Sequence, residues 1–201
     1  MDISARSAAH YTALSMIAIV ATQVFYMVNG SAGLNVDSSV IWTIEVVAFL
    51  AMAVFGLIAL ARGANAPIVW AAITLGGIFN VIQAGMVLAM LGPLKDAGEA
   101  MAPAMEAILA GAFFFYFSGK FLFGIAGIVL GSALMRGPIA AQIIGALAIL
   151  SGLTAVVMNL GAMAIGMDLV VPAGAAGTAA ALLAALAIMV TGRQSIVARL
   201  R

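Results

Sequence analysis

The chain has 201 residues, of which 66% are hydrophobic and 7% charged, with a mean hydropathy of +1.25. Soluble domains carry about 25% charged residues, so there is too little polar surface here to cover a water-soluble fold, and an integral membrane protein is expected. The net charge of +1 gives no basic footprint for nucleic acid; the lack of cysteine excludes disulfides and thiolate chemistry; a lone histidine, His10, excludes histidine metal clusters and two-histidine haem ligation within one chain.

Six apolar runs follow one another, at 11–29, 40–61, 68–91, 107–135, 139–167 and 170–191. Each approaches or exceeds the ~20 residues that cross a bilayer. Backbone groups in lipid must be paired internally, so the runs read as helices. The first follows Arg6 and resembles a signal peptide, but it is long for such a segment and reads as a first span. The second carries Glu45 and ends at the turn Arg62-Gly63-Ala64-Asn65-Ala66-Pro67, where glycine closes one helix and proline opens the next. The third carries Asn80 and Gln83 and leads into the one long connection, Gly92 to Glu106, with room for a short surface helix. The fourth is rich in aromatics (Phe113 to Phe117, Phe121, Phe123) and contains Lys120. Below Lys120 come Gly124, Gly127 and Gly131, a small-residue stripe that lets a neighbouring helix approach closely. Arg136-Gly137-Pro138 turns into the fifth run, which carries Asn159. The fourth and fifth runs exceed the membrane thickness and must tilt or project. Asp168 and Pro172 mark the start of the sixth, which ends in a basic tail, Arg193 to Arg201, suited to anionic lipid heads.

The predicted fold is therefore all-α, a single bundle of six transmembrane helices. Arg6, Arg62, Arg136, Arg193, Arg199 and Arg201 fall on one side of this path. Lys95, Asp37, Asp96, Glu99, Glu106 and Asp168 fall on the other. The arginine side is expected to be cytoplasmic, with both termini there, in a bacterial inner membrane. Trp42 and Trp70 are placed as anchors at opposite interfaces, with His10 at the cytoplasmic edge. "GLIALARG" (56–63) and "LGSALMRG" (130–137), each with Pro-Ile beyond its turn, hint at an internal duplication.

The two cytoplasmic turns serve as rulers for the intramembrane charges. Glu45 lies 17 residues before Arg62 and Lys120 lies 16 before Arg136, so both stand roughly 24–26 Å above the cytoplasmic helix ends. Charge at that depth is costly and normally faces protein or a hydrated cavity. Gln83, Asn80 and Gln23 reach nearly the same level, Tyr116 shares a face with Lys120, and Asn159 lies higher. A polar outer-half cavity around Glu45 and Lys120 is expected, the two charges pairing directly or through water.

The leading functional expectation is a carrier, channel or ligand-binding protein using this layer. The competing one is a non-catalytic subunit of a larger membrane complex, or a homo-oligomer, with glycine faces as contacts. Met86, Met90, Met101, Met105, Met163 and Met167 form three outer-side i, i+4 pairs, a thioether set of the kind that binds copper(I) or simply fills apolar gaps. The aromatic fourth run suits a quinone or sterol. No HExxH, GxSxG or phosphate-binding loop is present, which leans away from an enzyme. In layout, with "IFNVIQAGMVLAMLG" (78–92) and "LGSALMRGPIAAQIIGALAILSG" (130–152), the chain resembles an uncharacterised family of six-span bacterial membrane proteins. That resemblance implies six spans and brings no reaction or ligand.

Overall fold

A computed structural model describes residues 2–197, with side chains up to residue 191. The helices are α1 (Ala5–Ala32), α2 (Ser38–Ala61), α3 (Pro67–Asp96), α4 (Ala102–Leu134), α5 (Ile139–Ile165) and α6 (Val170–Val197). Short 3-10 turns at Glu99–Met101 and Met167–Leu169 precede α4 and α6, and no strand occurs among the described residues. All six helices are long and apolar enough to cross a membrane. The basic tail beyond α6 lies outside the described residues, as does the Arg193 side chain.

Helix boundaries differ from the hydropathy pattern where local chemistry overrides it. α1 starts six residues early because the Ser4 hydroxyl accepts from the Ser7 backbone N–H (3.1 Å), satisfying a free donor of the first turn. The expected long connection from Gly92 to Glu106 is mostly helix, since α3 runs on to Asp96 and α4 begins at Ala102. Pro103 stands at the start of α4, where its missing N–H matters least, whereas Pro93 lies in the last turns of α3 and removes one i→i−4 hydrogen bond there. Between α1 and α2 the turn is pinned by Asn29, whose amide donates to the Val36 carbonyl (2.8 Å) and accepts from its N–H (3.0 Å). Gly33, at φ 64°, supplies the left-handed residue that ends α1.

Asp37 caps α2, accepting from the Ser39 backbone N–H at 2.8 Å. That hydrogen bond holds the Asp37 carboxyl below its ordinary value. Its folded value lies below its unfolded one, so the cap contributes in full above about pH 4, the usual carboxylate range, and is lost as pH falls further, through the folded value. Amide exchange at residues 38–40 should hold steady from about pH 6 to 4 and accelerate below about pH 4, after correction for intrinsic rates. Asp37→Asn should flatten that dependence.

Side-chain pairs establish the antiparallel order. Tyr11–Phe55, Gln23–Glu45 and Tyr26–Trp42 ascend α1 as they descend α2. α1, α2, α3, α4 and α6 close into a five-membered ring through the contacts α1–α2, α2–α3, α3–α4, α4–α6 and α6–α1. α5 sits outside this ring, against α4 and α6. Arg62 at the end of α2 pairs with Asp2 before α1, placing those two chain segments at one end of the bundle.

The predicted glycine stripe on α4 finds its partner in α5. A Cβ on Gly124 would stand 2.7 Å from the Gly152 carbonyl oxygen, and one on Gly152 would stand 2.6 Å from that of Gly124. Gly131 and Gly145 repeat this reciprocal approach seven residues away, at 2.5 and 2.7 Å, with Gly127 between them facing Ala148. α3 and α4 are similarly close at Gly76 and Gly119. Trp70 departs from its expected role as an interface anchor. It is buried at 5% exposure and its indole N–H donates to the Asn65 carbonyl (2.8 Å), tying α3 to the preceding turn.

The helices are not level at the end that carries the α1–α2, α3–α4 and α5–α6 connections. Gln23 lies 10 residues before Gly33, Glu45 8 after Asp37 and Thr178 8 after Val170, but Lys120 lies 18 after Ala102. These four residues meet at one height, so the α3–α4 hairpin rises roughly 15 Å beyond its neighbours at 1.5 Å per residue. The excess length of α4 thus extends past the ends of the neighbouring helices.

Candidate functional site

The site lies inside the five-helix ring, and its centre is Lys120 on α4. This side chain is completely buried, at 0% exposure. Its aliphatic stem runs past Gly177 of α6, where an added Cβ would come within 2.5 Å of the lysine Cβ. Glycine at 177 is therefore what lets α6 cover the stem. The Tyr116 ring lies one turn away on α4 with its centroid 5.2 Å from Nζ, and the Phe123 ring is 6.0 Å away, both within cation–π range.

Lys120 Nζ donates to Gln23 Oε1 (2.7 Å) on α1 and to Thr178 Oγ1 (3.1 Å) on α6. Thr178 Oγ1 itself donates to Gln23 Oε1 (2.6 Å). At the other end of the same amide, Gln23 Nε2 donates to Glu45 Oε1 (2.7 Å) on α2. The partners fix which way the amide points, because a carbonyl must face the ammonium and an NH2 group must face the carboxylate. The sequence leads to an expectation of direct or water-mediated pairing; instead the two charges are not in direct contact, and one carboxamide stands between them. Glu45, Gln23, Thr178 and Tyr116 are each partly exposed, so the network runs from an accessible edge to an enclosed cation.

The remaining predicted residues are placed differently. Asn80 is fully buried beside Gly119, where a Cβ would overlap its amide, and its Nδ2 donates to the Gly76 carbonyl of its own helix (2.8 Å). Gln83, one turn further out on α3, is partly buried and makes no hydrogen bond to the network. Asn159 lies outside the ring on α5 and donates to Ala155 (2.8 Å) and across to Ala173 of α6 (3.1 Å). The Oδ1 atoms of Asn80 and Asn159 are buried without a partner among the described residues. Asn159 is thus a clasp between α5 and α6 and not part of the charged layer.

The expected open cavity does not reach Lys120. Two surface clefts of about 290 and 270 Å³ lie elsewhere, one beside Arg6 and His10 and the other between α1 and α2 near Thr22 and Ile44. The paired methionines are distributed over Met86 and Met90 on α3, Met101 and Met105 at the start of α4, and Met163 and Met167 around the end of α5. Met163 sulfur accepts from the Ser118 hydroxyl at 3.5 Å. The aromatics of α4 divide, with Phe117 and Phe123 buried and Phe114 half exposed.

Thr178, Gly177 and Gly174 escaped the sequence reading, although a signal exists. Thr178 is the one hydroxyl in "VVPAGAAGTAAALLAALA" (170–187), with glycines one and four residues before it. Gly174 receives the Tyr116 hydroxyl end, which would lie 2.7 Å from an added Cβ. Compared with known proteins, the chain matches no family model, no curated protein and no solved structure.

Proposed function

We propose that the chain is a six-span protein of a bacterial inner membrane, with both chain termini cytoplasmic, which passes or binds a small polar solute at the Glu45–Gln23–Lys120 network. The orientation is supported by Arg6, Arg62 and Arg136 at one set of helix ends and by Lys95 with Asp37, Asp96, Glu99, Glu106 and Asp168 at the other. One observation carries the solute reading: a fully enclosed ammonium is held only by neutral acceptors, while its counter-charge waits one amide away at a partly exposed edge. A purely structural pair gains most from direct contact. Separation by a side chain that can rotate gives instead a closed state in which the site is filled by the protein itself.

Osmotic light scattering of proteoliposomes tests this. The wild-type protein should speed equilibration of at least one small polar solute, and Lys120→Met should return the rate to that of empty vesicles at equal insertion. Equal rates for wild-type and empty vesicles over neutral, anionic and cationic solutes would sink the carrier reading.

The second reading, an accessory subunit of a membrane complex, is favoured by the projecting α3–α4 hairpin. It exposes Met90 and Met101 together with Lys95, Asp96 and Glu99. Site-specific crosslinkers at 95–101 should then trap one discrete partner protein in native membranes.

A further inference from the structure

A single primary carboxamide, on α1, joins three other ring helices to its own at the centre of the bundle. Its carbonyl oxygen receives two donors, the Lys120 ammonium (2.7 Å) and the Thr178 hydroxyl (2.6 Å). Its NH2 group gives one hydrogen to the Glu45 carboxylate (2.7 Å). Acceptor at one end and donor at the other, the arrangement is complementary to an amide and to little else of that size.

We infer that the site is built for a small neutral primary amide, of the acetamide and urea class, and that the Gln23 side chain is the tethered stand-in that occupies it in the closed state. This inference rests on reading the network as a solute site. Size and connectivity support it, because beyond its Cβ a glutamine side chain has the heavy atoms of acetamide. Charge supports it too. Glu45 and Lys120 already balance, so a neutral dipolar guest leaves the site neutral, whereas an anion or cation would strand an uncompensated charge in a low-dielectric interior. Hydrogen-bond capacity adds a third line: Glu45 Oε2 accepts from no described residue, so a guest with two NH2 groups can engage both carboxylate oxygens. Entry requires only that the partly exposed Gln23 side chain rotates away; Lys120, Thr178 and Glu45 stay in place as the recognition groups.

Gln23→Ala removes the stand-in and leaves an acetamide-sized space between the same donors and acceptor. The purified variant should melt below the wild type, and acetamide should raise its melting temperature saturably. N,N-dimethylacetamide, which has no N–H, and acetate, which is charged, should not. In parallel, wild-type proteoliposomes should equilibrate acetamide and urea faster than empty vesicles do. Protection of Gln23→Ala without wild-type flux would uphold the ligand class and overturn carriage. Flux of other solutes with neither protection nor amide flux would overturn the amide class and leave carriage standing. Neither protection nor flux of any solute would overturn both. If Gln23→Ala fails to fold, the wild-type vesicles decide: acetamide passing faster than acetate and dimethylacetamide, relative to empty vesicles, supports the inference, and no such preference overturns it.

Discussion

Glu45→Gln should cost more stability than Lys120→Met, although each removes one charge from the same network. Without Glu45 the stranded group is the Lys120 ammonium, at 0% exposure and bonded only to Gln23 and Thr178. Without Lys120 the stranded group is a carboxylate that is only partly buried and keeps the hydrogen bond from Gln23 Nε2. Breaking a buried pair by deleting one member typically costs about 3–5 kcal/mol. Glu45→Gln belongs toward the upper part of that range and Lys120→Met at or below about 3 kcal/mol, because of the exposure of Glu45. The double variant, Glu45→Gln with Lys120→Met, strands no charge and should regain most of the loss. Thermal unfolding of the four proteins in one detergent measures this as a double-mutant cycle, whose coupling reports contact through the shared Gln23 amide. Additive losses would mean that the two charges do not communicate through Gln23.

Gly152→Ala should be the most damaging single methyl group that can be added to α5. Its Cβ would stand 2.6 Å from the Gly124 carbonyl oxygen and 2.9 Å from Ile128 Cγ1, and the first of these is backbone that cannot rotate aside. The α4 and α5 axes must move apart along the whole seam, since Gly131 and Gly145 make the same approach one heptad away. Overpacking of this kind costs about 1–3 kcal/mol, against a gain of under about 1 kcal/mol from replacing glycine in a helix. Gly161→Ala on the same helix is the control. Its Cβ would meet only a Leu169 methyl at an ordinary 3.4 Å, so stability should hold or rise slightly. Melting temperatures of the two variants in matched detergent check the contrast, and a Gly161→Ala loss equal to that of Gly152→Ala would remove the seam as the cause. α5 lies outside the ring that carries Lys120, so an opened seam should leave the Gln23 network formed.

The turn-based rulers succeeded for Glu45, Lys120 and Gln23 because rise along a helix is fixed by backbone hydrogen bonding and needs no knowledge of neighbours. They failed to separate Gln83 from the network because height says nothing about direction around the axis, and two residues at one level can face opposite ways. Asn159 shows the same limit across helices: its depth was readable, but not that its helix stands outside the ring. The glycine stripe of α4 was legible as a close-approach surface, while its partner residues Gly145 and Gly152 became apparent only once α5 was docked against it. Trp70 escaped its expected interfacial role because its indole N–H found a carbonyl, Asn65, inside the protein.

By itself the sequence determined six long apolar helices and the level of the buried charge, since hydropathy and the need to satisfy every backbone group leave little choice. Only the tertiary structure decided what stands between those charges. The closing of α1, α2, α4 and α6 around one another put the Gln23 amide between Glu45 and Lys120 and brought Thr178 against the same carbonyl. That outcome depends on the rotation and offset of each helix, which are set by packing at contacts such as Gly177 against the Lys120 stem and not by any local pattern.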